Sequence, residues 1–278
     1  MRIPFNEILK NAGFDIAQEY DRLYTLFYEE DNAGKFNTST CRSFTTTYDF
    51  FNNKENFRLI KFRGTTLDLQ DFDKTHQLTY IITPHTDDLE YLISFCEYII
   101  NLFNSFPSVE TDFRIRNIAR VFRTQIYQII ESTNYTQIEK DGCIIFVPKD
   151  VTVMAVSEII DQDVSYKVIF YNHHSLKWNI EEKKKIIKCL ADLLEPQRRQ
   201  LKQINASLET DLFNCFNNLN IRHNNIDKST THHNPLFETI TNAELEHLYD
   251  EIYQLCLLAF MELDNIKRKT YIKEMLNK

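Results

Sequence analysis

The run Thr241-Asn242-Ala243-Glu244-Leu245 opens the most regular helical segment of the chain. A threonine hydroxyl can accept a hydrogen bond from the backbone N–H three residues on. A glutamate at that position can reach back to the threonine N–H, which completes a capping box at a helix start. Beyond it Leu245, Leu248, Ile252, Leu255, Ala259, Leu263 and Ile266 recur every three or four residues, which places them along one helix face. A seam this long needs partners, so it predicts a helical bundle closed by this helix. Its apolar face is also wide enough to extend into an interface between two copies.

Working outward, residues 207–219 place Leu208, Leu212, Phe213, Cys215, Phe216 and Leu219 on one helical face. Asn179 to Glu182 is a second start signal, followed by Ile186, Leu190, Leu193 and Leu194. Pro196 kinks or restarts that helix because proline lacks the N–H, and Leu201 and Ile204 continue its stripe. Residues 150–171 read as helical in part, with Val153, Val156, Ile159 and Ile160 inward. Upstream, Tyr135 to Glu139 and Cys143 to Val147 flank Lys140-Asp141-Gly142. Asp-Gly supplies the positive φ angles of a tight turn, so residues 135–147 predict a β-hairpin.

A helix over about 111–131 buries Ile115, Ile118, Ala119, Phe122, Ile126 and Ile129. Another begins at Thr86-Asp87-Asp88, runs through Leu89, Leu92, Ile93, Cys96, Ile99, Ile100 and Phe103, and ends before Pro107. Residues 35–85 are rich in Thr, Asn and Phe and predict loops with a little β structure, including a short strand from Phe57 to Phe62. Residues 5–28 have helical spacing with a break at Gly13, and Asp31-Asn32-Ala33-Gly34 ends that segment. The expected fold is mainly α: an antiparallel helical bundle with a small β-hairpin and an irregular, aromatic-rich N-terminal region. The expected division is residues 1–85 and residues 86–278.

Composition excludes several classes of function. A formal charge of −8 argues against passive, whole-surface binding to nucleic acid or acidic lipid. Gly13, Gly34, Gly64 and Gly142 are the only glycines, and none lies in a dinucleotide-binding or phosphate-cradling loop. No cofactor is therefore expected. Cys41, Cys96, Cys143, Cys189, Cys215 and Cys256 are dispersed, with no C-x-x-C and no zinc-ligand spacing. That usage suits a reducing cytoplasm. The start, Met1-Arg2-Ile3-Pro4-Phe5-Asn6-Glu7, carries an early acid and no long apolar stretch, so it does not read as a signal peptide. No apolar run has the length of a membrane span, and no membrane partner is expected.

The chemistry-bearing stretch is Asn220-Ile221-Arg222-His223-Asn224-Asn225, followed by His232-His233-Asn234. It connects the helix at 207–219 to the closing helix. Metal-free RNA cleavage needs one group to take the 2′-OH proton, one to protonate the leaving oxygen and a cation for the phosphorane. Histidine fills either proton role near neutral pH, and arginine holds phosphate oxygens bidentately. Arg222 with His223, His232 or His233 supplies that set, and Asn220 and Asn224 could orient a phosphate. A polar connector also collects Asn, His, Ser and Thr with no chemistry attached, and the residues leave that alternative open.

An Arg followed by a polar residue and then a His, between the last two helices of an α-bundle, resembles the HEPN superfamily. Arg222 matches the family's Arg, His223 its polar second position, and His232 or His233 its distal His, over a separation longer than the family's. With the hairpin upstream and the long closing helix, the resemblance extends to abortive-infection proteins that carry this domain, over roughly residues 150–278. It implies a metal-independent endoribonuclease toxin of phage defence or of a toxin–antitoxin pair. In that role Arg222 holds the scissile phosphate, His232 or His233 transfers protons, and His223 and Asn224 position substrate. The implied partners are RNA, a second copy in a homodimer with a composite site, and an antitoxin or other protein. The resemblance equally implies an alternative: a non-catalytic sensor or scaffold that binds RNA, a nucleotide or a protein.

Further groupings stand outside this loop. Arg116, Arg120 and Arg123 form a basic stripe, with no acid from Phe113 to Ile130. Between Lys177 and Lys202 lie eight basic and four acidic residues, including Lys183, Lys184, Lys185 and Lys188. Both could neutralise RNA phosphates or simply solvate helix faces. Tyr171-Asn172-His173-His174-Ser175 reads as a polar turn, or as histidines that join His232 and a carboxylate around zinc. Asp87-Asp88 reads as a helix cap and Asp71-Phe72-Asp73 as a turn.

Overall fold

The computed structural model describes residues 13–31, 44–78, 88–107 and 112–277. The chain is mainly α with a small two-stranded antiparallel hairpin. Among the described residues the helices begin with α1 (Ile16–Tyr24), α2 (Thr47–Asn52), α3 (Lys54–Phe57), α4 (Leu69–Thr75), α5 (Leu89–Ser105) and α6 (Phe113–Ser132). The hairpin strands are β1 (Tyr135–Lys140) and β2 (Cys143–Pro148). Then follow α7 (Val151–Ile159), α8 (Gln162–Phe170), α9 (Ile180–Leu194), α10 (Arg198–Ile204), α11 (Ala206–Asn218) and α12 (Asn242–Leu276). Among the described residues, no helix is long and apolar enough to cross a membrane.

The chain divides into two compact units, Met1–Phe146 and Val147–Lys278, and not at residue 85. Aromatic packing explains the difference. Tyr20, Phe27, Phe50, Phe51 and Phe57 from the short early helices fill one core with Phe95, Phe103 and Phe106 and with Phe122 of α6. Phe27 alone meets the rings of Phe51, Phe95, Tyr98 and Phe122. The early segment cannot bury its own aromatic faces, so it shares a core with α5 and α6.

Three expectations in unit 1 change. The strand from Phe57 to Phe62 is absent, because Asn53 Oδ1 caps the backbone of Glu55 (3.0 Å) and Asn56 (3.3 Å) and starts α3. Turns then bring Ile60 back into the core beside Phe57. The described part of the region read as loops, 44–78, holds three short helices, each capped by a side chain: Thr46 and Asp49 box α2, Asn53 caps α3 and Asp68 caps α4. Asp73 therefore belongs to a helix and not a turn. Asp15 caps α1, which passes directly into one π-helical turn, Thr25–Glu29. The expected helical residues 5–12, and Thr86 and Asp87 of the α5 start signal, lie outside the described residues, while Asp88 is the N-cap of α5.

The hairpin turns at Asp141 (φ +54°) and Gly142 (φ +78°), as the Asp-Gly pair requires. Its second strand lies against α5. Asn101 Nδ2 donates to the Ile144 carbonyl (2.7 Å), Asn101 Oδ1 accepts from the Ile144 N–H (2.8 Å), and Glu97 Oε1 accepts from the Phe146 N–H (2.6 Å).

In unit 2 the capping box of α12 forms between Thr241 and Glu244, and the helix runs 35 residues, about 52 Å at 1.5 Å per residue. Its buried face is broader than the expected seam and adds Tyr249, Tyr253, Cys256 and Phe260, because helices pack on it from several sides. The helices around it do not simply alternate in direction. In α11, Asn205 at the start bonds Glu262 (3.0 Å) and Leu219 at the end bonds Tyr249 (3.1 Å), so α11 is antiparallel to α12. In α9, Lys183 near the start meets Glu246 and Asp250, and Leu193 near the end lines one cavity with Phe260 and Leu263, so α9 runs in the same direction as α12. Pro196 explains this arrangement. It sits in a 3-10 turn (Glu195–Gln197) that continues the chain into α10, and the reversal comes only at Asn205.

Candidate functional site

The loop between α11 and α12 begins where α11 runs out. Asn220 adopts a left-handed φ of +58°, a conformation asparagine tolerates at helix C-termini. The Arg222 N–H then returns to the Phe216 carbonyl (3.0 Å) and closes the helix end. Ile221 turns into the core.

Asn225 holds the rest of the loop. It is buried, and every polar group of its side chain is used. Its Oδ1 accepts from the Asn220 N–H (2.7 Å), and its Nδ2 donates to the Asn217 carbonyl (3.0 Å) and the His232 carbonyl (2.5 Å). Its own carbonyl accepts from the Asn234 N–H (2.9 Å). One side chain thus ties the end of α11 to both ends of the loop. Asn225→Ala is expected to strand these buried groups and cost about 2 kcal/mol. Hydrogen exchange at the Asn220 amide checks this, since a loop fixed elsewhere would leave its protection unchanged.

Arg222 does not face outward for a phosphate. Its Nη2 donates to the Ala191 carbonyl (3.1 Å) in the last turn of α9 and pairs with Glu195. Its guanidinium lies over the rings of Phe213 (5.0 Å) and Phe216 (5.3 Å), and its side chain is only 17% exposed. Arg198 covers Phe213 as well (4.2 Å) and bonds the buried Glu209 (2.5 Å). Cation–π contact, an ion pair and a helix C-terminus all satisfy the Arg222 charge internally.

The histidines lie closer to solvent. The His223 and His232 rings stack face to face, 4.1 Å between centroids and 9° from parallel, with His232 exposed and His223 half-buried. His233 turns away, its Nε2 lying 3.3 Å from Glu238, which also pairs with Lys228 (2.9 Å). Lys228, and then His233, hold the Glu238 carboxyl below its ordinary range. The other ring nitrogen of His233, Nδ1, is enclosed with no hydrogen-bond partner among the described residues. Asn224 is exposed, and its carbonyl accepts from Thr230 Oγ1 (3.1 Å). Asn220 is buried; with its amide turned to suit both neighbours it donates to the His223 carbonyl (3.2 Å) and accepts from Lys184 Nζ (3.0 Å).

The other sequence groupings fall elsewhere. Arg116, Arg120 and Arg123 belong to α6 of unit 1. Arg116 and Arg120 are exposed, while Arg123 donates to Asn104 (2.8 Å). His173 is buried in its own turn, where its Nδ1 lies 2.7 Å from Ser175 Oγ and its ring stacks on Phe170. No group of metal-ligating side chains gathers at the 219–241 loop among the described residues.

Lys183, read as neutralising phosphate or solvating its helix face, does neither: it is buried between Glu246 (2.7 Å) and Asp250 (2.8 Å), above the Tyr171 ring (5.4 Å). Tyr171 also donates to Asp250 (2.9 Å), and the Trp178 N–H donates to Glu246 (2.8 Å). Burial alone would raise Glu246, but Lys183 and the Trp178 N–H outweigh it and hold the carboxyl below its ordinary range. Lysine periodicity could have shown this. Lys183 falls three residues before Ile186 and four before Ile187, on the inward face of α9, and two acids of α12 at i, i+4 await it.

Comparison with known proteins adds no assignment: no family model, no curated protein and no solved structure matches the chain.

Proposed function

We propose that unit 2 is a HEPN-like, non-catalytic RNA-binding module, and that the loop from Asn220 to Asn234 is its binding element. The observation that supports this most is the opposite treatment of its two kinds of side chain. Arg222 is held by Glu195, Ala191 and two phenylalanine rings, so it serves the fold. His223 and His232 present a stacked pair of flat rings at the surface beside the exposed Asn224. Unpaired bases are recognised by stacking on such rings and by hydrogen bonds from neighbouring polar groups. The loop is already fixed by Asn225, so binding would not have to order it.

The test is RNA binding and RNA cleavage measured together in EDTA. The expected result is binding without turnover, with His223→Ala/His232→Ala weakening affinity at least about tenfold, the effect of one lost stacking contact. A second reading, metal-independent ribonuclease, draws on the same histidine pair, because two adjacent imidazoles can share proton donor and acceptor roles. Cleavage in EDTA that His232→Ala abolishes would replace the first reading with the second.

A further inference from the structure

Trp178, the single tryptophan of the chain, is held where a tryptophan is least expected. It directly precedes Asn179, the N-cap of α9. An apolar residue at that position ordinarily packs on the fourth residue of the helix and fixes the entry of the chain. Here the fourth residue is Lys183, which is buried in ion pairs with Glu246 and Asp250. Trp178 is left 65% exposed.

The backbone of Trp178 is in the left-handed region, φ +66°, which is strained for a bulky side chain. Such a conformation persists only where the surroundings impose it. The buried Glu246 carboxylate does so, because it accepts the Trp178 N–H at 2.8 Å while Lys183 holds it in place. The backbone that carries the ring is thus fixed, and the ring itself lies in solvent. The flanking sequence is basic: Lys177 precedes the ring, and over the first turns of α9 the exposed Lys185 and Lys188 and the half-buried Lys184 accompany Glu181 and Glu182, with Lys185 paired to Glu182. Lys184 also reaches Asn220, so this edge of α9 and the loop after α11 meet at one end of unit 2.

We propose that Trp178 is a stacking platform for an unpaired base of single-stranded RNA, with the neighbouring lysines engaging its phosphates; this rests on the RNA-binding reading of the loop. An exposed aromatic ring on a fixed backbone, beside cations, is the combination that binds single strands without reading sequence. Double-stranded RNA, whose bases are already stacked, has no face to offer it.

Because Trp178 is the only tryptophan, its emission reports the contact directly. The whole protein would be titrated with a short oligoadenylate and with an RNA duplex, following tryptophan fluorescence and RNA anisotropy together. The expected result is saturable quenching by the single strand alone. Trp178→Ala should weaken binding about 5- to 100-fold, with Trp178→Phe retaining most of the affinity. Both variants should keep the wild-type circular dichroism, since the ring is exposed. Binding that leaves the emission unchanged and is as tight in Trp178→Ala overturns the platform. If His223→Ala/His232→Ala still weakens that binding, the loop reading survives alone. Absence of RNA binding by anisotropy overturns both.

Discussion

Truncating Lys183 to alanine is expected to destabilise unit 2 by about 3–5 kcal/mol, the range found when one partner of a buried ion pair is removed. The ammonium is 9% exposed and lies within 2.8 Å of two carboxylates. Its loss leaves Glu246, itself 8% exposed, as a buried charge answered by the Trp178 N–H and, more weakly, by Lys177. Asp250 fares better, because it is partly exposed and keeps the Tyr171 hydroxyl. A second substitution separates lost charge from lost packing. Lys183→Met should remain strongly destabilised, and adding Glu246→Gln should recover much of the loss by removing the orphaned charge. Chemical denaturation of the four proteins measures this, and equal stability of Lys183→Met with and without Glu246→Gln would refute the electrostatic account.

The pH dependence of that cluster follows from Glu246. Its carboxyl sits below the ordinary range in the folded protein, so its contribution is complete above the unfolded value. It is lost as pH falls through the folded one. Wild-type unit 2 should therefore weaken on acidification more steeply than Lys183→Ala.

Asp73→Asn is expected to act in the opposite direction and stabilise unit 1 at neutral pH, by up to about 3 kcal/mol. Burial raises the Asp73 carboxyl from 3.8 to about 6, although the Tyr98 hydroxyl donates to both its oxygens and pulls the other way. A raised carboxyl binds its proton more tightly in the folded state than in the unfolded one. The folded protein therefore gains stability as pH falls from about 6 towards 4. At pH 7 it carries a buried charge that an unfolded chain would solvate. Asparagine keeps the shape and an acceptor for Tyr98 without that charge. The advantage of Asp73→Asn should fade between pH 6 and 4, since Asp73 itself becomes neutral there. Thermal unfolding of both proteins across this range tests it, and a gap independent of pH would show that charge is not the cause.

The two predictions also mark where sequence reading reached and where it stopped. Caps and periodicity carried the fold. Thr241 with Glu244, Asn179 with the Glu182 backbone, and Asp141-Gly142 each act within four residues, so local chemistry decides them. The division of the chain was not legible in that way, because Phe27 and Phe51 meet Phe95 and Phe103 across long stretches of sequence. The loop was visible as a polar connector rich in histidine, but the role of each side chain was not. Arg222 looks available in the sequence and is satisfied by Ala191, Glu195 and Phe213. Asn225 looks equivalent to Asn224, yet one is the buried tie of the loop and the other is exposed. A single chain of letters does not say which of two adjacent asparagines points inward when neither lies on a regular element.

The contact between α5 and the hairpin has a consequence for assembly. Asn101 offers Ile144 one donor and one acceptor, as a residue of an adjoining antiparallel strand would. Glu97, one helical turn earlier, meets Phe146 two residues along the strand. The step of about 6 Å along the helix nearly matches the step of about 7 Å along the strand. Two side chains of a helix thus impersonate a third strand. They occupy the outer rim of β2 where another chain could otherwise add itself. They also fix the reading frame of the ribbon, because a slip of one residue would present the wrong backbone groups to both. Opening that rim, by Asn101→Leu for instance, would free the outward backbone groups of Ile144 for strand addition.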